Sequence, residues 1–391
     1  MNHRYQALDN RPLFTPFFLL MLAIAAIGAV FLVIRFVTGI GTVANLSGGY
    51  PWGIWVVYDI VVGTALACGG YALAVTVYLF NKGKYHPLIR PALATSLLGY
   101  GFAALGAFVD MGRYWNAYNM FLPWQMNTHS VMLEVGLCVA TYVLVLAIEF
   151  SPTVLEWLRR QTGWQMKADA WRGRLDKMLF FFIALGILLP TMHQSSLGSF
   201  LIAMGYKVHP LWQTLHIQPL LAVLSAFTMG FAIVIFEGSL LTTGFKRHPE
   251  THLFSGLGRI IMGLISAFLV IRFAYLAIAG KLGAMFALDL GSLMFWIETA
   301  LFAYPLAVLA SPVKRENGRH LLFAAVSMLL AGSLYRFDAF LITYNPGPGY
   351  SYFPALPELI MTVATIATEI ALYLFIIKKF PVLPREEHAA A

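Results

Sequence analysis

Residues 188 to 220 read LLPTMHQSSLGSFLIAMGYKVHPLWQTLHIQPL, and the fold follows from how this stretch is understood. Its first half is an apolar run that also carries Pro190, His193, Gln194, Ser195 and Ser196. Hydrocarbon offers polar groups no water, so at that depth each must find a partner or line a cavity. The stretch therefore predicts a membrane-spanning helix with a polar site inside it.

The surrounding chain is of the same kind. Of its 391 residues 59% are hydrophobic, 15% aromatic and only 11% charged, and the mean hydropathy is +0.74. That composition excludes a soluble domain and predicts an all-α integral membrane protein. Cys68 and Cys138 lie in apolar spans with neither CxxC nor CxxCH spacing, which argues against an iron-sulfur cluster or covalent haem on this chain. A di-haem cytochrome b would need two facing histidine pairs, and His129 with His193 supplies at most one. The chain is accordingly expected to carry neither haem nor cluster.

A hydrocarbon core of roughly 30 Å needs about 20 helical residues. Ten spans meet that length, near 14 to 38, 54 to 80, 90 to 111, 127 to 149, 177 to 204, 216 to 240, 256 to 279, 290 to 310, 319 to 340 and 355 to 378. The first is too long for a signal-peptide core and reads as an uncleaved anchor. The expected architecture is one polytopic domain over 1 to 391, with four-helix bundles at 54 to 204 and 216 to 340 and flanking helices at 14 to 38 and 355 to 378. Twenty of the 26 Lys and Arg fall in the termini and alternate loops, from Arg4 and Arg11 to Lys378, Lys379 and Arg385. The other side has only Arg113, Lys207 and Lys281, while Arg35, Arg272 and Arg336 lie within spans. By the positive-inside rule both termini are cytoplasmic. The net charge of +8 is mostly this topology signal and does not indicate nucleic-acid binding.

The outer connections, GGYPWGIW at 48 to 55, MGRYWNAYNMFLPWQMNTHS at 111 to 130 and YNPGPGYSYFPALP at 344 to 357, are rich in aromatic, Gly and Pro residues. Singly such rings belong to the interfacial belt; together they suggest a stiff surface for a partner. The basic inner loop, 150 to 177, is expected to lie on the anionic inner leaflet.

Counting about 1.5 Å per residue places His193, Asp59, Asp110, Arg113, His129, Glu134, Arg272, Arg336 and Asp338 in the outer half. Glu149, Glu237 and Glu369 fall in the inner half, with Tyr100 near mid-depth. Structural pairing is the plainer reading of each charge, and Asp110 with Arg113 is the obvious i,i+3 pair. In the fourth span Asn127, Ser130, Glu134, Cys138 and Thr141 recur at helical spacing, a polar stripe expected to face the bundle interior.

Several motifs, GGYPWGIW with ACGG, HPLIRPALATSLLGY, NTHSVMLE, LLPTMHQSSLGS with YKVHPLW, and IFEGS, resemble in order the NrfD and polysulfide reductase C superfamily. Within it the resemblance is to the Hyb-type membrane subunit of periplasm-facing NiFe uptake hydrogenases. It implies a haem-free, metal-free subunit of the bacterial inner membrane that exchanges electrons with the quinone pool, menaquinone above all. The implied partners are a periplasmic ferredoxin-like iron-sulfur subunit and the hydrogenase small and large subunits. A quinone needs donors to its carbonyls and groups that pass protons, for which histidine and buried carboxylates serve. His193 and either His129 or Tyr100 are expected to flank the ring and Glu134 to hold or relay a proton. Arg336 or Arg113 would compensate its charge, Asp110 would support the pocket, and Glu237, or in second place Glu149, would be an inner relay. A transmembrane proton route through Glu237 and Glu134 is expected. The other readings are a secondary transporter using the Pro190 break, or a quinol-oxidising subunit of another periplasmic reductase.

Overall fold

The computed structural model describes residues 5–161, 163–248 and 250–385, so the charge of Arg4 lies outside the described residues. Among the described residues ten helices are long and apolar enough to cross a membrane: α1 (Pro16–Thr38), α2 (Ile54–Leu79), α3 (Gly83–Asp110), α4 (Val131–Arg159), α5 (Gln165–Lys207), α6 (Leu215–Phe245), α7 (Thr251–Ile278), α8 (Leu290–Leu309), α9 (Gly318–Ile342) and α10 (Leu356–Lys379). Their starts follow capping chemistry. Thr15 Oγ1 accepts from Phe18 N at 3.3 Å ahead of Pro16, and Asp289 and Ser292 close a capping box on α8. The Ser292 N–H, and then His209, hold the Asp289 carboxyl below the usual carboxylate range.

Helices α2 to α5 pack on one another, as do α6 to α9, and the two groups meet where α6 crosses α2 and α5. At that seam a Cβ on Gly230 would stand 2.6 Å from the Cys68 carbonyl oxygen, so only glycine permits the approach. Helix α1 lies along α10, with a Cβ on Gly28 only 2.1 Å from that of Ala364, and α10 leans on α3. Tyr5–Gln6 pairs antiparallel with Leu383–Pro384, which puts both ends of the described chain on one face.

The inner connection between α4 and α5 departs from expectation. Residues 150 to 159 and 165 to 177 are not a loop on the leaflet but continuations of the two spans, joined by a short turn. Pro152 cannot donate to the Ile148 carbonyl, and the Ser151 hydroxyl does so instead at 2.6 Å, so the helix runs through. Arg159 with Asp169 at 3.2 Å and Arg160 with Glu156 at 3.4 Å lace the extension. Elsewhere the α-helical register slips to π at Val57–Val62, Val75–Leu79 and Asp338–Ile342. Two of these segments carry buried carboxylates, Asp59 and Asp338.

Candidate functional site

The polar run of α5 is met by α2, α3 and α9. His193 Nε2 lies 3.0 Å from Thr64 Oγ1, which also accepts from Gln194 Nε2 at 3.1 Å and donates to the Ile60 carbonyl. With its own proton so committed, the threonine oxygen accepts from both neighbours. The ring proton of His193 is therefore on Nε2, and Nδ1 keeps a lone pair with no partner. Tyr100 stands edge-on to His193 at 5.7 Å between ring centres, its hydroxyl 3.8 Å from Cys68 Sγ. From α9, Arg336 donates to Gln194 Oε1 at 3.2 Å and to the carbonyls of Gly332 and Ala222. Arg336 is 3% exposed, and these partners and the Met229 sulfur are all neutral. A guanidinium taken out of water normally has a carboxylate beside it, and none of these partners of Arg336 is one. The cavity against Gln194, Gln218, Tyr335 and Arg336 is about 10 Å³, room for one water.

A second buried network fills the α7 to α9 bundle. Arg272 donates to Glu298, whose other oxygen accepts from Trp212 Nε1 at 3.0 Å, and both charged residues are 1% or less exposed. Asp338 is fully buried there, with neither oxygen hydrogen-bonded. This pair is self-neutralising, in contrast to Arg336.

The structure brings Tyr100, His193 and Arg336 together and leaves other expected members apart. Thr64, Tyr100 and His193 each sit ten or eleven residues, ~15 Å, inside the outer ends of their helices, nearer mid-depth than the rim. The stripe of α4 does not face the interior as a whole: Glu134 and Thr141 are exposed, Cys138 is buried, and Asn127 is exposed in the loop before the helix. The buried face of α4 is Val139, Tyr142, Val145 and Leu146, which offers more apolar area to α3 and α5, so packing turns Glu134 outward. His129 is exposed in the loop before α4. Asp110 and Arg113 form no pair, because α3 ends at Asp110 and Met111 is extended, which abolishes the helical spacing. Arg35 of α1 takes that place, donating to the Val109 carbonyl at 2.6 Å and to that of Met111. In the inner half Thr95 Oγ1 lies 2.7 and 2.8 Å from the two Glu237 oxygens, and Glu149 lies against Gly186, the residue whose carbonyl Pro190 leaves without its helical donor.

Sequence reasoning passed over Thr64, Arg35, Glu298 and Glu358. A carboxylate midway along an apolar span was signal enough for Glu298. Nothing local distinguishes Thr64, a hydroxyl that ordinarily bonds its own helix.

The fold and the site define a polytopic helical membrane protein that holds polar and charged groups at mid-depth between two helix bundles. The chain belongs to the NrfD family, whose model, described as polysulphide reductase, NrfD, matches residues 42–344. It is 46% identical over 352 residues, 90% of this chain and 88% of the other, to an Escherichia coli K12 protein named "Probable Ni/Fe-hydrogenase 2 b-type cytochrome subunit". It is also 29% identical over 241 residues, 60% of this chain and 56% of the other, to the "Menaquinone reductase, integral membrane subunit" of Nitratidesulfovibrio vulgaris. These findings, with the ten apolar helices, make the chain a multi-pass integral membrane protein, in bacteria of the inner membrane.

The first of those names corrects one expectation. A b-type cytochrome carries haem, so the expectation of a haem-free chain is withdrawn. Tested on the residues present, an axial pair needs two facing imidazoles at one depth. Among the described histidines only His193 is buried, and no second imidazole faces it.

Proposed function

We propose that the chain is the quinone-reactive membrane subunit of a periplasm-facing hydrogenase complex. It takes electrons from a ferredoxin-like iron-sulfur subunit, fed by NiFe small and large subunits, and passes them to menaquinone. The names of the two relatives support this reading, as do the aromatic rings of Trp115, Tyr118, Phe121 and Trp124, which stand 55% or more exposed on the outer connection, where a partner would dock. The observation that carries it is the buried, unneutralised Arg336 beside a histidine with a free ring nitrogen.

A quinone becomes a quinol by taking two electrons and two protons. Arg336 would hold the oxygen on which negative charge grows, while His193, next to Gln194 in α5, and Tyr100 beside it would pass a proton to or from the ring oxygens. The cavity admits a ring only when Gln194 and Arg336 part. In the assembled complex, His193→Ala and Arg336→Gln should each lower quinone-linked hydrogen oxidation by roughly 10²-fold, the order that a proton-transfer group contributes. Dye-linked hydrogen oxidation should be unchanged. Normal quinone reduction in both variants removes the proposal.

A further inference from the structure

A second set of protonatable side chains runs between α2, α3, α6 and α10, starting about one turn outward of Thr64 on α2. Thr64 of α2 meets His193, whereas Asp59 of α2 meets α3, where a Cβ on Gly106 would stand 2.7 Å from Asp59 Oδ2. Asp59 is 7% exposed and its Oδ1 has no hydrogen-bond partner. Its ionisable neighbours are Glu369 of α10 and Asp110, one turn beyond Gly106 on α3. One turn inward from Glu369 on α10 is Tyr373, whose hydroxyl also has no hydrogen-bond partner and which lines one cavity with Glu237. Glu237 and Tyr373 line a cavity of about 50 Å³, room for a few waters, whose mouth carries Arg247, His248 and Glu250 on the cytoplasmic side. At the outer end Glu358 is fully buried, accepting from Tyr352 Oη at 2.7 Å and from Asn45 N at 3.0 Å, and Arg35 lies beside Asp110.

The depths fall in order. Measured along their helices, Asp110 and Glu358 lie at the outer ends, Asp59 ~8 Å in, Glu369 ~16 Å further than Glu358, and Tyr373 one turn beyond. Carboxylates at such depths need partners when their role is structural, and Asp59 and Asp110 each keep an unpaired oxygen. We infer that Glu237, Tyr373, Glu369, Asp59 and Asp110 form a proton line from the cytoplasmic cavity to the outer half of the membrane. Each hop moves one proton from an acid or a bridging water to the next carboxylate, and no electrons move with it. Arg35 sets a fixed positive charge at the outer end, which opposes leakage of protons inward. The line rests on the quinone reading for what drives it, not for its existence.

The test uses the assembled complex in proteoliposomes, with quinone turnover and a potential-sensitive dye read together. Glu369→Gln and Asp59→Asn should lower the charge displaced per quinone to that of a protonophore-treated control, with thermal stability kept and Glu369→Asp restoring it. Wild-type charge displacement in both variants overturns the line while leaving quinone turnover intact. Should wild-type turnover itself be absent, the quinone reading fails. The line is then judged by infrared spectroscopy of the lipid-embedded chain, in which carboxylic-acid bands lost in Asp59→Asn should exchange with D2O and do so more slowly in Glu369→Gln. Equal exchange in wild type and Glu369→Gln overturns it.

Discussion

Two buried arginines separate structure from function at the scale of a single residue. Arg272 is neutralised by Glu298 and ringed by Trp212, Phe268, Phe295 and Tyr335 within 5.8 Å, so its charge is spent inside the fold. Removing it leaves Glu298 and Asp338 as buried carboxylates without a counter-ion. Arg272→Met should therefore cost about 3–5 kcal/mol, and Arg272→Met with Glu298→Leu distinctly less, because an apolar pair needs no neutralisation. Thermal unfolding in detergent reads both; equal losses would show that the ion pair contributes no more than its volume. Arg336, whose partners are neutral, should behave oppositely, its loss telling on activity more than on stability.

Between elements, glycine and proline decide how near the helices come and where their polar groups point. Gly230 lets α6 touch the α2 backbone at Cys68, whereas Gly263 on α7 faces open space. Gly230→Ala should thus cost about 1–3 kcal/mol by overpacking, while Gly263→Ala should change stability by no more than about 1 kcal/mol in the favourable direction. A Gly230→Ala protein as stable as wild type would mean the seam is looser than the structure has it. Much of this level was legible beforehand: all ten spans and the polar run of α5 follow from periodicity and from the absence of water in lipid, whereas the expected break at Pro190 is absent and α5 runs through it as one helix. The register of α4 was not. Asn127 and Ser130 precede the helix, and of the rest Cys138 is buried while Glu134 and Thr141 are exposed, because which face a helix buries depends on the neighbour it meets, and α3 and α5 take the apolar side.

For the whole molecule, an even number of spans and the pairing of Tyr5–Gln6 with Leu383–Pro384 put both ends on one face, and the distribution of Lys and Arg makes that face cytoplasmic. A fluorescent reporter that folds only in the cytoplasm should light up when fused after Ala391, and a phosphatase active only outside should work when inserted between α7 and α8, near Gly283. The reverse pattern would turn the proton line round. The sequence by itself determined the class, the spans, the orientation and the presence of a polar site around His193, because hydropathy, charge bias and the cost of polar groups in hydrocarbon are properties of each segment alone. Only the tertiary structure decided which polar groups meet: that Arg336 reaches Gln194 while Arg113 reaches nothing at Asp110, that Glu134 is exposed, that Asp59 packs on Gly106 and that Glu237 meets Thr95. Those outcomes depend on helix rotation and close approach, which arise from packing between segments far apart in the chain and leave no mark within any one of them.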